Sequence, residues 1–565
     1  MLSNEAMAVL KARYLKENET PDALFMRVAH HVAQADKIFG CDPQGTAEDF
    51  YNLMSSLDFL PNSPTLINAG KSAAQLSACF VLPIEDSLEG IFETLKNAAL
   101  IHQSGGGTGF SFSRLRPKGD KVAATGNSSS GPVSFMHVYN LATQIVKQGA
   151  VRSGANMAIL RVDHPDILDF ISVKKQRDVL NNFNLSVAVT DEFMSAVIKN
   201  EPFTLINPRT QQVAKKVNAK DIYNELIEMA WENGEPGLFF IDTVNKFNPT
   251  PRLGMFESPN PCSEQPLLPF ESCNLGSINL ANMLKDNKQL DYDKLRRTIR
   301  LAVKFLDNVI DINHYPLHEV ADKTKLTRKI GLGIMGLADL FIKLDIPYGS
   351  DVAVKLTAKI MNYITSEARQ MSHEIALVRG SFPEFRHSVF PMKGYNAMRN
   401  ATVTTIAPTG SISLIAQCSS GIEPLFALAV TRRVLEGQLI TSTNAVVMRY
   451  LDKRGLLSSD VESAIGKQGT LRDVYLPASV KEVLLTAHEI APKWHVAHLA
   501  AAQRYTDNGV SKTVNMPHQA CKEDVAEVYM TAYLAGCKGV TVYRDSSRNE
   551  QVLTHGTTEC AKCVI

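Results

Sequence analysis

The stretch "NPCSEQPLLPFESCNLG" runs from Asn260 to Gly276 and sets an amide, a thiol and a carboxylate at alternate positions, Asn260, Cys262 and Glu264, with a second thiol at Cys273. If this segment is extended, the three side chains share one face and meet in one pocket. Pro259 and Pro261 favour an extended or loop conformation over helix. A thiol nucleophile wants a base such as His to make the thiolate, and none lies nearby in sequence. A neighbouring Glu raises a thiol's pKa rather than lowering it. This thiol is therefore suited to stay protonated, and a protonated thiol can lose a hydrogen atom and become a thiyl radical. Taken alone, the triplet also reads as a buried Cys in a strand with surface Asn and Glu.

The triplet is not alone. Cys79 sits on the apolar run "QLSACFVLP" and Cys273 on the strand-like "ESCNLGSINL". Cys560 and Cys563 form a C-x-x-C in a polar C-terminal stretch, a geometry suited to a shuttle that exchanges with an internal disulfide and then meets an external reductant. The alternative, half a zinc site with His555 as third ligand, lacks a second C-x-x-C; no metal site built from protein side chains is expected. Cys41, Cys418, Cys521 and Cys537 have no polar constellation around them and are expected to be small buried hydrophobes. Two glycine-bearing loops could present backbone N–H groups to an anion: "QSGGGTGFSFSRLRP" (Gln103 to Pro117) and "APTGSIS" (Ala407 to Ser413). Neither is a Walker A, the first lacks the acidic partner of a dinucleotide fingerprint, and each also reads as a plain turn.

The rest of the chain must position these groups. Its 565 residues can hold a large core, and nine cysteines without an export signal argue against a disulfide framework. A net charge of +1 offers no electrostatic case for a nucleic-acid or membrane partner, and no apolar run of membrane-spanning length appears, so a cytoplasmic location is expected. The start, "MLSNEAMAVLKARYL", reads as a helix capped by Ser3 or Asn4. Helical spacing continues to about residue 60, where Pro61 to Pro64 break it. Beyond, buried-strand runs ("LSACFVLPI", "NLSVAVT") alternate with helical ones ("DSLEGIFETLKNAALIHQ", with Asp86 or Ser87 at its start, and "DYDKLRRTIRLAVKFLDNVID"), implying an α/β domain with parallel strands. Three parts are expected: a helical region 1–60, a catalytic domain 61–548, and a mobile tail 549–565 carrying the C-x-x-C.

Five motifs in order, "LSACFVLPIEDSLEGI", "GGGTGFSFSRLRP", "NPCSEQPL...ESCNLGSINL", "APTGSISLIAQCSSGIEP" and "GVTVYRDSSR", resemble the catalytic chain of ribonucleotide reductases, most closely the adenosylcobalamin-dependent class II enzymes. The resemblance implies a ten-stranded α/β barrel of two antipodal five-stranded parallel halves, with a finger loop inside. It implies that Cys262 is the transient thiyl radical that takes the ribose 3′-hydrogen, that Glu264 is the base for the 3′-hydroxyl, and that Asn260 holds the ribose hydroxyls. Cys79 and Cys273 would supply two electrons and end as a disulfide, which Cys560 and Cys563 would re-reduce before being reduced by thioredoxin or a similar dithiol. Thr65, Ala78, Gly107 and the Pro408, Thr409, Gly410, Ser411, Ile412 segment fall where the family binds substrate, expected to be a ribonucleoside diphosphate. Asp86, Ser87 and Arg116 fall where it binds a dNTP or ATP specificity effector, with Arg152 in "VRSGANM" on the reporting loop; that site forms across a dimer interface, so a homodimer is expected.

The class follows from what stands around Tyr543. Class I chains relay a radical through two adjacent tyrosines; here the neighbour is Val542. The Arg-Val-x-Gly-Tyr-like glycyl-radical motif of class III is not found, which leaves adenosylcobalamin as the cofactor. A class I-type chain needing a separate radical-generating subunit is the alternative. The residues ahead of the barrel are fewer than the family's ATP-cone needs, so specificity control without dATP shut-off through a cone is expected.

Overall fold

The computed structural model describes residues 2–72, 74–122, 126–146, 154–176, 178–433, 439–547 and 553–555. Apolar runs of the first half form neighbouring parallel strands β1 (Cys79–Leu82), β2 (Gly107–Ser111), β3 (Asn156–Arg161), β4 (Phe183–Val189) and β5 (Gly237–Phe240), hydrogen-bonded in that order. The second half repeats the plan. β6 (Ser272–Asn279) pairs in parallel with β7 (Ile330–Met335). The extended segment 402–406 bridges β7 at Leu332 and Thr404, and then Val510 from Ile406. Val510 leads into β8 (Thr513–Met516), which pairs in parallel with β9 (Gly539–Arg544). Two antiparallel seams close the ring, β1 on β6 and β5 on β9. This is the α/β barrel of two antipodal five-stranded parallel halves that the resemblance implies.

Parallel neighbours need long crossovers, and the amphipathic runs supply them. The N-terminal helices α1 (Asn4–Arg13), α2 (Pro21–Ala33) and α3 (Gln44–Ser55) precede the barrel, the first capped by the Ser3 side chain. Helix α4 (Leu88–Gln103) joins β1 to β2 and starts where the Ser87 hydroxyl accepts from the Gly90 N–H. Helix α5 (Pro132–Val146) joins β2 to β3. Helix α6 (Tyr292–Ile312) joins β6 to β7 and buries Leu295, Ile299, Ala302, Val303 and Leu306 at helical spacing. Helix α7 (Asp351–Arg379) packs beside it. Of the expected tail, Leu553–His555 form a short strand on Ala429–Arg433, and Cys560 and Cys563 lie outside the described residues.

Buried charge ties the layers together. Asp36, after α2, accepts from Thr46 and from Asn308 of α6, and pairs with Lys304 at 2.9 Å and Arg379 at 2.6 Å. Asp307 is fully buried and pairs with Arg328 at 2.8 Å and Arg399 at 3.1 Å. Burial alone would raise the Asp307 pKa, but the two guanidinium groups outweigh it and hold the carboxyl below its usual range.

A depressed native pKa contributes stability that is present above the unfolded carboxylate pKa and lost as pH falls through the native value. Asp307→Asn is expected to leave two buried guanidinium groups short of charge and cost about 3–5 kcal/mol, read as a lowered urea midpoint at pH 7. The gap between variant and parent should shrink as pH drops below about 4.

Candidate active site

A hairpin enters the barrel between β5 and β6. Its arms, Ser258–Pro259 and Pro266–Leu267, pair antiparallel. Its tip closes tightly. The Asn260 N–H donates to the Gln265 carbonyl at 3.0 Å, and the Asn260 side-chain oxygen accepts from the Gln265 N–H at 2.9 Å. Ser263 takes a left-handed conformation, φ 65°. The tip is therefore a turn and not the extended run considered from sequence, and its three chemical side chains do not share one face. Asn260 and Glu264 are buried, whereas Cys262 is exposed.

Glycines on the barrel wall admit the hairpin. A Cβ on Gly109 of β2 would lie 1.9 Å from the Pro259 carbonyl oxygen, and one on Gly509 would lie 2.5 Å from that of Ser263. Gly107 faces Pro261 and Gly331 faces Gln265 in the same way, at 3.0 and 2.5 Å. Neighbouring side chains then clamp the tip. Asn184 of β4 donates to the Pro261 carbonyl at 2.7 Å, and Thr405 donates to the Glu264 carbonyl at 2.7 Å.

On one side of the tip, Cys262 opens into a cavity of about 870 Å³, whose wall includes Asn184, Pro408, Ser413, Val542 and Tyr543. Beside it, Asn260 and Glu264 converge on Cys79. The Asn260 amide donates to the Cys79 sulfur at 3.0 Å, and the Glu264 carboxyl lies 4.0 Å from it. Cys79 is register partner to Cys273 across the β1–β6 seam. Both are free thiols and both are buried. Burial holds the Cys273 thiol well above the ordinary cysteine range; Lys329 pulls it down, while Glu271 and Glu264 push it up.

The other expected residues divide by place. Gly107 is level with Cys79 on β2, Ala78 precedes Cys79, and the buried Thr65 hydroxyl donates to the Leu76 carbonyl at 3.0 Å. Pro408 lines the cavity, Thr409 adopts φ 58°, and Gly410, Ser411 and Ile412 begin a short helix, Gly410–Ile415. Asp86 and Arg116 form an ion pair at 2.9 Å beside the Ser87 cap, away from this centre; Arg152 lies outside the described residues. Two cysteine expectations are corrected. Cys41 and Cys521 are exposed, Cys41 just after the left-handed Gly40 and Cys521 at a helix N-cap; Cys537 is buried and Cys418 half-buried. No group of three or more His, Cys, Asp or Glu side chains able to hold a metal ion occurs among the described residues.

The comparisons with known proteins agree with this geometry. The family model "Ribonucleotide reductase, barrel domain" matches residues 77–395 and 392–543, and "Ribonucleotide reductase, all-alpha domain" matches residues 1–74. The chain belongs to the ribonucleotide reductase family. It is 46% identical to a protein of Thermoplasma acidophilum named vitamin B12-dependent ribonucleoside-diphosphate reductase, over 99% of this chain and 81% of that protein. A protein of the same name from Mycobacterium tuberculosis is also 46% identical, over 98% of this chain and 79% of its own length. The solved structure of the Actinobacillus ureae class Id ribonucleotide reductase alpha subunit shares the fold, with a TM-score of 0.79 at 23% identity, covering 96% of this chain and 97% of that one.

Sequence reading missed four contributors to this reductase site: Asn184, Thr405, Gln265 and the Lys329–Glu271 pair. The Gln265 carboxamide is fully buried, and neither polar atom finds a hydrogen-bond partner among the described residues. Its position beside Glu264 was the available signal; for the others, partners far apart in the chain left no local mark. Gly109→Ala is expected to displace the hairpin and lower turnover by about 100-fold or more, with the circular dichroism spectrum unchanged. Gly45→Ala, with open space around its Cβ, should leave turnover at the parent level.

Proposed function

We propose that this chain reduces ribonucleoside diphosphates to 2′-deoxyribonucleotides with adenosylcobalamin, using Cys262 as the radical thiol. The observation that carries the reading is the gathering at the hairpin tip: a thiol open to a large cavity that Pro408 also lines, and beside it an amide, a carboxyl and a cross-strand dithiol.

The cavity before Cys262 suits a bulky cofactor, and Asn184, Ser413 and Tyr543 are among the residues that would hold it. When bound, adenosylcobalamin supplies the radical by homolysis of its cobalt–carbon bond. The remaining work belongs to the chain. Asn184 and Thr405 hold the peptide groups on either side of Cys262, so the sulfur is presented from a fixed backbone. Cys262 takes the 3′-hydrogen atom from the ribose and later returns one. Glu264 accepts the proton of the 3′-hydroxyl, its buried position keeping water from competing. Asn260 orients the ribose hydroxyls, Thr65, Ala78, Gly107 and the Pro408–Ile412 segment bind the substrate, and Cys79 and Cys273 provide two electrons and two protons. The balance is one ribonucleotide and two thiols giving one deoxyribonucleotide, one water and one disulfide. Cys560 and Cys563 then restore the dithiol at the expense of thioredoxin or a similar protein.

Specificity effectors, dNTP or ATP, would bind at Asp86, Ser87, Arg116 and Arg152. Beside Ser87, α4 exposes Leu88, Phe92 and Leu100, and the adjoining α5 exposes Val138, Leu141 and Ile145. An apolar face across two packed helices supports a homodimer formed there. No helix among the described residues is long and apolar enough to cross a membrane, which is compatible with a cytoplasmic enzyme.

The purified chain should reduce CDP or ADP anaerobically with adenosylcobalamin and dithiothreitol alone, and Cys262→Ala should abolish this. Inactivity with every nucleotide, effectors supplied, would instead favour a separate radical-generating subunit. Phe92→Asp is expected to shift the light-scattering mass from dimer to monomer.

A further inference from the structure

Part of the wall of the large cavity comes from two stretches well apart in the chain, residues 418–420 and 442–445. Asp339 lies behind both. It is fully buried, on the short helix Leu337–Lys343 that follows β7. One carboxyl oxygen accepts from the Ser419 N–H at 2.6 Å, and the other accepts from the Asn444 amide at 3.1 Å. The Asp339 N–H donates to the Ser419 hydroxyl at 3.3 Å, and the Gly336 N–H donates to the Ser419 carbonyl at 2.7 Å. Asn444 in turn caps the helix Ala445–Asp452, its side chain accepting from the N–H groups of Val446 and Val447. The chain beyond Ser419 is held separately. The Ser420 and Ser413 hydroxyls meet at 2.9 Å, the Gly421 N–H donates to the Thr409 hydroxyl at 2.8 Å, and the Tyr348 hydroxyl donates to the Ile422 carbonyl at 2.6 Å. Asp339 is therefore the side chain that joins Ser419 to Asn444.

Burying a carboxyl is costly, and no step of the reaction uses this one. Burial pushes it above the usual carboxylate range, against the pull of the Asn444 and Ser419 hydrogen bonds and of the Lys343 and Arg449 charges. Lys343 gives its own hydrogen bond to the Ala281 carbonyl at 2.6 Å. Both groups aimed at the Asp339 oxygens are N–H donors, so only a side chain with two acceptors meets both. Asparagine has the same shape, but it would turn an NH₂ group against one of them. The helix bearing Asp339 also continues from β7, where Gly331 makes room for Gln265 of the hairpin. The cavity wall and the hairpin that carries Cys262 are thus registered to one strand. We propose that Asp339 is a positioning residue that holds residues 418–420 and Asn444 in their cofactor-binding arrangement before the cofactor arrives, and so raises the affinity for adenosylcobalamin without touching it. A wall already ordered loses less conformational freedom on binding. The proposal rests on the cofactor reading made above.

The test compares the full chain with its Asp339→Asn variant. Ultrafiltration with adenosylcobalamin in the dark should give a dissociation constant about tenfold higher in the variant. Turnover at saturating adenosylcobalamin should stay within about twofold of the parent. Hydrogen exchange read by mass spectrometry should find the Ser419 amide of the parent protected without cofactor. In the variant that amide should exchange about tenfold or more faster, and slow again when adenosylcobalamin is saturating. A Ser419 amide that exchanges in the cofactor-free parent as fast as an open loop overturns the proposal, whether or not the variant folds. Parental affinity in a folded variant overturns it too. So does a fall in saturated turnover as large as the fall in affinity, which a merely structural role would give. If the parent binds no adenosylcobalamin although its Ser419 amide is protected, the cofactor reading itself falls, and the proposal with it.

Discussion

The backbone of one hairpin lies against the inner wall of the barrel at distances that no side chain on that wall would permit. The contact between Gly109 and the Pro259 carbonyl is the tightest; Gly509 repeats it at the Ser263 carbonyl, while Gly331 and Gly107 make room for the Gln265 and Pro261 side chains. Everything chemical depends on this fit. It carries Cys262 to the edge of the large cavity, and it presses Asn260 and Glu264 onto Cys79. A wall of ordinary strand residues would have filled the barrel and excluded the hairpin. Gly107, Gly109 and Gly331 weaken their strands, and the covering helices pack an extensive apolar core against the sheet.

The antiparallel seam between the halves has a second consequence. Within each half the strands run parallel and are joined by helices, so neighbouring side chains come from separated stretches of chain. At the β1–β6 seam this brings Cys79 opposite Cys273, and Lys329 alongside. On the proposed assignment, the two-electron donor is built into the wall rather than carried on a loop. Burial and the acidic side chains of Glu271 and Glu264 hold the Cys273 thiol well above its usual range.

Much of this was legible in the residues. The apolar runs around Cys79 and Cys273 are strands, Ser3 and Ser87 cap helices, and the motif order led to the family. The segment at Asn260 was harder. Alternating positions suggested an extended run, but the Asn260 side chain closes on the Gln265 N–H and Ser263 adopts φ 65°, so the chain turns. The glycines of "GGGTG" read as a weak phosphate loop or a plain turn; Gly109 serves instead to admit another piece of backbone, and Gly107 the ring of Pro261. Close approach between segments about 150 residues apart leaves no local signature. Cys41 and Cys521 show the converse: hydrophobicity alone predicted burial, but both fall at element ends where the chain meets solvent.

The central claim is that the radical resides on Cys262, held by the hairpin between the cavity and the dithiol. Freeze-quenched electron paramagnetic resonance, with adenosylcobalamin, substrate and effector present, tests it most directly. The account predicts a signal whose hyperfine structure narrows when cysteine is deuterated at the β-carbon, and which is lost in Cys262→Ala. A signal of the same shape and intensity in Cys262→Ala would contradict it and place the radical elsewhere.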